Sequence, residues 1–154
     1  MRRFLFDTNI VFDVLLEREP HLRWSAQVWA AVERGAAAGM LAAHAVTTIH
    51  SLLRKHAGEE SARRVLGAML GLFEVAPVDG NVIRSAMDNP GPDFEDAVTA
   101  SAAAAARCDA IVTRDPRGFP GGPVAVMTAE AACALLAARS GGRSRRLSPG
   151  RSRA

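Results

Sequence analysis

Three aspartates stand where an α/β chain presents side chains to a ligand. Asp7 closes the apolar run Phe4-Leu5-Phe6, Asp115 follows Ile111-Val112-Thr113-Arg114, and Asp96 lies in Asp93-Phe94-Glu95-Asp96 at the head of an Ala-rich stretch. In open α/β sheets ligands bind beyond the carboxyl ends of the strands, so Asp7 and Asp115 meet if their strands are neighbours. The helix start that carries Asp96 adds free N–H groups and a partial positive charge toward any anion nearby. Carboxylates gathered at one sheet edge repel each other and raise their own proton affinity, an arrangement hard to keep without a cation among them. An all-oxygen donor set selects a hard ion, Mg²⁺ or Mn²⁺, bound through a few carboxylates plus waters.

Each acid also has a purely structural reading. Asp7 can cap the helix that follows it, Asp115 can form an Asx-turn before Pro116, and Asp93 can be an N-cap with Asp96 in the favourable first turn. Taken together, carboxylates that converge at one sheet edge weigh toward the chemical reading.

The elements that must position them follow from short apolar runs alternating with helical patterns, the signature of strand-helix-strand units. The expected fold is α/β, a three-layer sandwich with a central, mainly parallel sheet flanked by helices. Arg3 to Phe6 is the first strand and Thr8 to Leu16 a short helix. A second helix starts after Pro20, with Trp24, Val28, Trp29 and Val32 on one side, and ends at Gly35 or Gly39. The two tryptophans read as core or dimer surface. Met40 to Ala43 is a short strand. A third helix is marked by Val46, Ile49, Leu52 and Leu53, and a fourth spans Glu59 to Leu72. Phe73 to Val78 is a strand ended by the Asp79-Gly80 turn. A helix from Asn81 to Met87 runs into the breaker Asn89-Pro90-Gly91-Pro92. Beyond it lie the Ala-rich helix Asp93 to Arg107, strands Ala110 to Thr113 and Val124 to Met127, and a last helix, capped by Thr128, to about Ala138.

The 154 residues, 49% of them hydrophobic, suffice for one core, and one domain is expected over residues 1–139. The net charge of +3 invites a nucleic-acid reading, but five of the 19 basic residues lie in Ser140 to Ala154, which has no acid. The remaining 14 face 16 acids, so the folded part is near neutral and the basic character belongs to the tail. That Gly/Ser/Arg-rich tail, 140–154, is expected to be disordered. Cys108 and Cys133 have neither metal-ligand spacing nor scaffold density and read as core. With neither a long apolar run nor a leader-like start, the expectation is no membrane span and a cytoplasmic location.

Phe6-Asp7-Thr8-Asn9-Ile10, then Phe94-Glu95-Asp96-Ala97, then Ile111-Val112-Thr113-Arg114-Asp115 with Phe119 after it, resemble the ordered motifs of the PIN-domain superfamily, the fold of VapC-type toxin ribonucleases. The resemblance covers about Arg3 to Arg139. It implies metal-dependent hydrolysis of phosphodiester bonds in RNA, with Asp7, Asp96 and Asp115 matching three positions of an acidic quartet. Thr8, Asn9 and Thr113 match polar neighbours of that site. A cognate antitoxin and a homodimer are further implications.

One motif departs from the family. Many PIN toxins carry a glutamate inside the third helix, whereas here no acid lies between Glu33 and Glu59, and His50 stands closest to that position. Imidazole is a poor Mg²⁺ ligand. Asp93 is the first candidate to supply the missing charge and Glu95 a weaker one, while a lone helical histidine reads as structural. A haloacid-dehalogenase-type phosphatase wants a second aspartate where Asn9 stands and a lysine near the phosphate, and Lys55 is the only lysine. The stronger rival is a PIN fold with a degraded site, serving as a binding or regulatory module.

Overall fold

The computed structural model describes residues 1–89, 93–119 and 121–143, with side chains through 138. Of the tail expected to be disordered over 140–154, residues 140–143 belong instead to the last helix, and 144–154, like residues 90–92 of the breaker, lie outside the described residues. β1 (Arg3–Phe6) ends at Asp7, whose carboxylate caps α1 (Thr8–Leu15) by accepting the Thr8 N–H. α2 (Leu22–Glu33) follows Pro20, and β2 (Ala38–Ala42) leads directly into α3 (Ala43–Leu72). Gly39 lies so close to Phe73 that a Cβ there would fall 2.6 Å from the ring, which is why β2 has no side chain at that point.

The two helices expected over 46–53 and 59–72 are joined into α3 with no loop between them. They remain distinct because Gly58 sits at φ 83° and ψ 169°, a region open essentially to glycine alone. β3 (Glu74–Ala76) is shorter than expected. α4 (Gly80–Met87) and α5 (Phe94–Ala105) are capped by Asp79 and Asp93, whose side chains accept from Val82 N–H and Asp96 N–H. β4 (Ala110–Val112) is followed by a 3₁₀ turn, Pro116–Gly118, that periodicity did not reveal, then by β5 (Ala125–Met127). The Thr128 hydroxyl receives the Ala131 N–H at the head of α6 (Ala129–Arg143). α6 runs past the expected boundary near Ala138 through poor helix formers, since extending an existing helix adds one hydrogen bond per residue ordered.

All five strands are parallel, in the order β3-β2-β1-β4-β5. Alternation along the strands makes two cores. Phe4, Phe6, Leu41 and Val112 pack on one face with Ile10, Val28, Ile49 and Ala132 from α1, α2, α3 and α6. Leu5, Met40, Ala42 and Ile111 pack on the other with Val82, Val98 and Ala102 from α4 and α5. This is the three-layer sandwich expected. Full burial of each large apolar side chain contributes about 1.5–3 kcal/mol.

The tryptophans belong to the first of these cores. Trp29 meets Phe73 edge-on at 4.9 Å, and Phe73 meets Phe6 at 5.1 Å. Trp24 packs against the same cluster with Arg23 over its ring. Cys108 is buried and Cys133 half-buried, both as free thiols. No helix among the described residues is long and apolar enough to cross a membrane.

Candidate metal centre

The chain winds from β1 outward through β2 to β3, then returns to lay β4 and β5 on the other side of β1. The reversal opens a crevice between the carboxyl ends of β1 and β4, where α/β sheets bind ligands. Asp7 and Asp115 follow those two strands. The ladder continues one residue into the site, because the Asp7 N–H donates to Val112 O at 3.0 Å.

Thr113 is the hub. Its fully buried hydroxyl donates to Asp7 Oδ2 at 2.9 Å and accepts from Asn9 Nδ2 at 3.2 Å and from the Asp115 N–H at 3.3 Å. One donor and two lone pairs are then all used, so the hydroxyl has one orientation. Asn9 Oδ1 accepts the Arg114 N–H at 3.3 Å, so both ends of its amide clasp the segment after β4. Thr8 contributes its N–H to Asp7 Oδ1 at 2.8 Å. Burial raises the proton affinity of Asp7, and the bonds from Thr113 and Thr8 together with the Arg114 charge oppose that rise.

Asp96 enters from the first turn of α5, with its N–H on Asp93 Oδ1 at 3.2 Å. Its carboxyl is pushed up to about 6 from the ordinary 3.8, first by burial and then by the charges of Asp93, Asp7, Glu95 and Asp115. A Cβ built on Gly118 would lie 3.6 Å from both Asp96 Oδ2 and Asp115 Oδ2, so these oxygens are within twice that distance of each other. Gly118 leaves the space between them open. Asp93 is a true N-cap, and it also imposes the largest of the like-charge effects on Asp96.

The three aspartates therefore share one edge, but they do not close to direct ligation. Among the described residues no three His, Cys, Asp or Glu side chains stand close enough to hold one ion together. Mg²⁺ keeps several of its waters, so these carboxylates would hold a hydrated hard cation.

His50 stands elsewhere, its Nε2 3.1 Å from Glu59 Oε1, and it lines a separate groove with Arg63 and Leu66. An imidazole at the carboxyl end of β2 is that of His44, at the head of α3. Its Nε2 lies 3.3 Å from Thr99 Oγ1, while its buried Nδ1 has no partner among the described residues. Its position directly after β2 was the signal for it.

Sequence reasoning also missed Asp13. It is fully buried, with Oδ2 3.1 Å from Ser25 Oγ and 3.3 Å from Arg114 Nε. An acid inside Ile10-Val11-Phe12-Asp13-Val14-Leu15-Leu16 was the signal, since a charge in so apolar a helix needs a buried partner. A larger cavity, of about 780 Å³, lies between α2 and α6 and has no acid in its wall.

The fold has known counterparts. VapBC2 from Rickettsia felis, bound to a DNA fragment from its promoter, superposes with a TM-score of 0.60 at 13% identity, covering 81% of this chain and 96% of that one. The Mycobacterium tuberculosis toxin VapC20, which cleaves the sarcin-ricin loop, gives 0.59 at 14%, covering 75% and 92%. DNA-bound VapBC from Salmonella typhimurium gives 0.60 at 18%, covering 84% and 99%. No curated protein sequence gives a match. A family model described as the PIN domain matches residues 3–117, the stretch that holds Asp7, Asp93, Asp96, Thr113 and Asp115, and the chain belongs to the PIN-domain family.

Proposed function

We propose that this protein is a metal-dependent endoribonuclease that hydrolyses phosphodiester bonds in RNA, and that it acts as the toxin of a type II toxin–antitoxin pair. One observation supports the reading above the rest: Thr113 links Asp7 to the segment that bears Asp115, and Asp96 stands across Gly118 from Asp115. Membership of the PIN family and likeness in fold to a toxin that cleaves RNA support it.

Asp7, Asp96 and Asp115, with Asp93 beside them, are the residues that would hold Mg²⁺ or Mn²⁺. The ion supplies positive charge that polarises a scissile phosphate and lowers the pKa of a bound water. The chain's own residues prepare the place. Thr113 and the Thr8 N–H aim Asp7 and favour its ionised form. Asn9 holds the segment that carries Asp115, and the first turn of α5 directs N–H groups toward an anionic strand. No covalent nucleophile is required. The test is cleavage of single-stranded RNA by the purified protein with Mg²⁺ or Mn²⁺. Activity should vanish with a chelator and with Asp7→Asn, and a wild-type protein that leaves RNA intact in both ions overturns the reading.

A second reading has its own observation. The third helix offers no acid to the crevice, and His50 is engaged with Glu59, as a catalytically degraded binding module would allow. Metal-dependent cleavage separates the two. The toxin reading brings with it a cytoplasmic location, a cognate antitoxin and a homodimer. For the dimer the tryptophan helix is unsuited, because its apolar face is taken up by the core. Exposed Ile83 and Met87 of α4 and Phe94 of α5 are the better surface.

A further inference from the structure

We propose that Arg114 grips a phosphate of the bound RNA strand beside the scissile one, and that the buried carboxylate of Asp13 is the positioning residue that aims it. This rests on the ribonuclease reading.

Arg114 is held at both ends by α1, the helix that Asp7 caps. Its backbone N–H is on Asn9 Oδ1, and its side chain reaches back to Asp13 through Nε at 3.3 Å. Asp13 is fully buried and fixed in turn by the Ser25 hydroxyl. Among the described residues nothing accepts a hydrogen bond from the two terminal nitrogens of Arg114, and its side chain is 31% exposed. The anchor thus uses one N–H of the guanidinium and leaves the fork that matches phosphate oxygens.

A buried ion pair gives a fold little that two apolar side chains of similar volume would not give. What it does supply is direction. Arg114 lines a cavity of about 180 Å³ together with Thr113, His21, Trp24, Thr128 and one acid, Glu130, at the same sheet end as the carboxylates. A polyanion approaching Asp7, Asp96 and Asp115 is repelled by them, and a fixed cation at their flank offsets that repulsion where the strand continues past the cleaved bond. Arg117, exposed in the 3₁₀ turn, has no comparable anchor among the described residues and serves as the control.

The experiment measures binding of a fluorescent single-stranded RNA to the Asp7→Asn protein in Mg²⁺ over a series of salt concentrations. Because Arg114→Gln alone strands a buried charge, the informative variant is Asp13→Asn with Arg114→Gln, checked by thermal melting. It should bind about tenfold more weakly, and the slope of log affinity against log salt should fall by about 0.7, the loss of one single-strand phosphate contact. Asp13→Asn alone keeps the cation, so it should keep that slope. In the Asp7-containing protein it should lower kcat more than it raises KM. A folded double variant whose slope equals that of Arg117→Gln overturns the proposal. An Asp7→Asn parent that binds no RNA although Arg114 is intact also overturns the proposal, whereas the ribonuclease reading itself fails only if the wild-type protein leaves RNA intact in both ions.

Discussion

The Thr113 hydroxyl donates to Asp7 Oδ2 at 2.9 Å across 106 positions of sequence, and that bond ties the end of β4 to the end of β1. Thr113→Val keeps the shape and removes the hub, leaving Asn9 Nδ2 and the Asp115 N–H without their acceptor. Loss of a buried hydroxyl with partners left unpaired costs about 1–3 kcal/mol. Chemical denaturation should read that loss, and RNA cleavage should fall well beyond what the unfolded fraction explains. Unchanged cleavage with the stability lost would reduce Thr113 to a structural link.

Asp96 links the site to pH. Its folded proton affinity, near 6, lies above the ordinary 3.8, so without divalent cation its ionisation works against folding. That penalty grows as pH rises between these values and is complete above about 6. Asp96→Asn should therefore melt higher than the wild type at neutral pH in chelator, with the gap closing as pH falls toward 4. Saturating Mg²⁺ should narrow the gap by stabilising the wild type alone. A melting difference that does not move with pH would show that Asp96 is not strained by its neighbours.

Asp93 combines a cap with a charge, and alanine deletes both. Asn caps about as well as Asp, whereas losing the cap costs about 1 kcal/mol, so Asp93→Asn isolates the charge. If Asp93 serves the metal in place of the missing glutamate, this variant keeps its melting temperature and needs several-fold more Mg²⁺ for the same rate. An unmoved metal titration leaves Asp93 as a cap only.

His50 is bound to exposed Glu59 and lies off the crevice, so His50→Ala should leave both the cleavage rate and its metal dependence near wild type. A shift in the Mg²⁺ requirement would return His50 to the site.

Ending the chain after Arg143 removes Arg145, Arg146, Arg151 and Arg153 while sparing α6. Melting temperature and metal requirement should hold. RNA affinity and its salt dependence should drop if those arginines meet phosphates. A large fall in melting temperature would show instead that the segment packs on the fold.

Much of this was legible in the order of residues. Alternation in Phe4-Leu5-Phe6 assigns β1 to a sheet covered on both faces, and each side chain went to the core its parity dictates. Asp93 and Thr128 marked helix starts because capping is local chemistry between a side chain and the next few N–H groups, and Asp79, read as a turn, proved to be a cap of the same kind. Motif position placed Asp7, Asp96 and Asp115 at the element ends where they stand.

The rest depended on which strands became neighbours. No local signal says that β4 lies against β1, yet that adjacency brings Thr113 to Asp7, and the docking of α5 brings Asp96 near Asp115. The spacing of the carboxylates, too open among the described residues for direct ligation of one ion by all three, is likewise set by how the elements assemble. His44 and His50 differ by six positions and look alike in sequence, but one faces Thr99 at the sheet end and the other faces Glu59. Asp13 is the sharpest instance. As a residue it is a misplaced charge in an apolar helix, and only the approach of Arg114 from the far end of the chain turns it into the anchor of a guanidinium. Periodicity and capping are settled within a few residues, whereas the energy of a buried charge is settled by a partner that tertiary folding alone delivers.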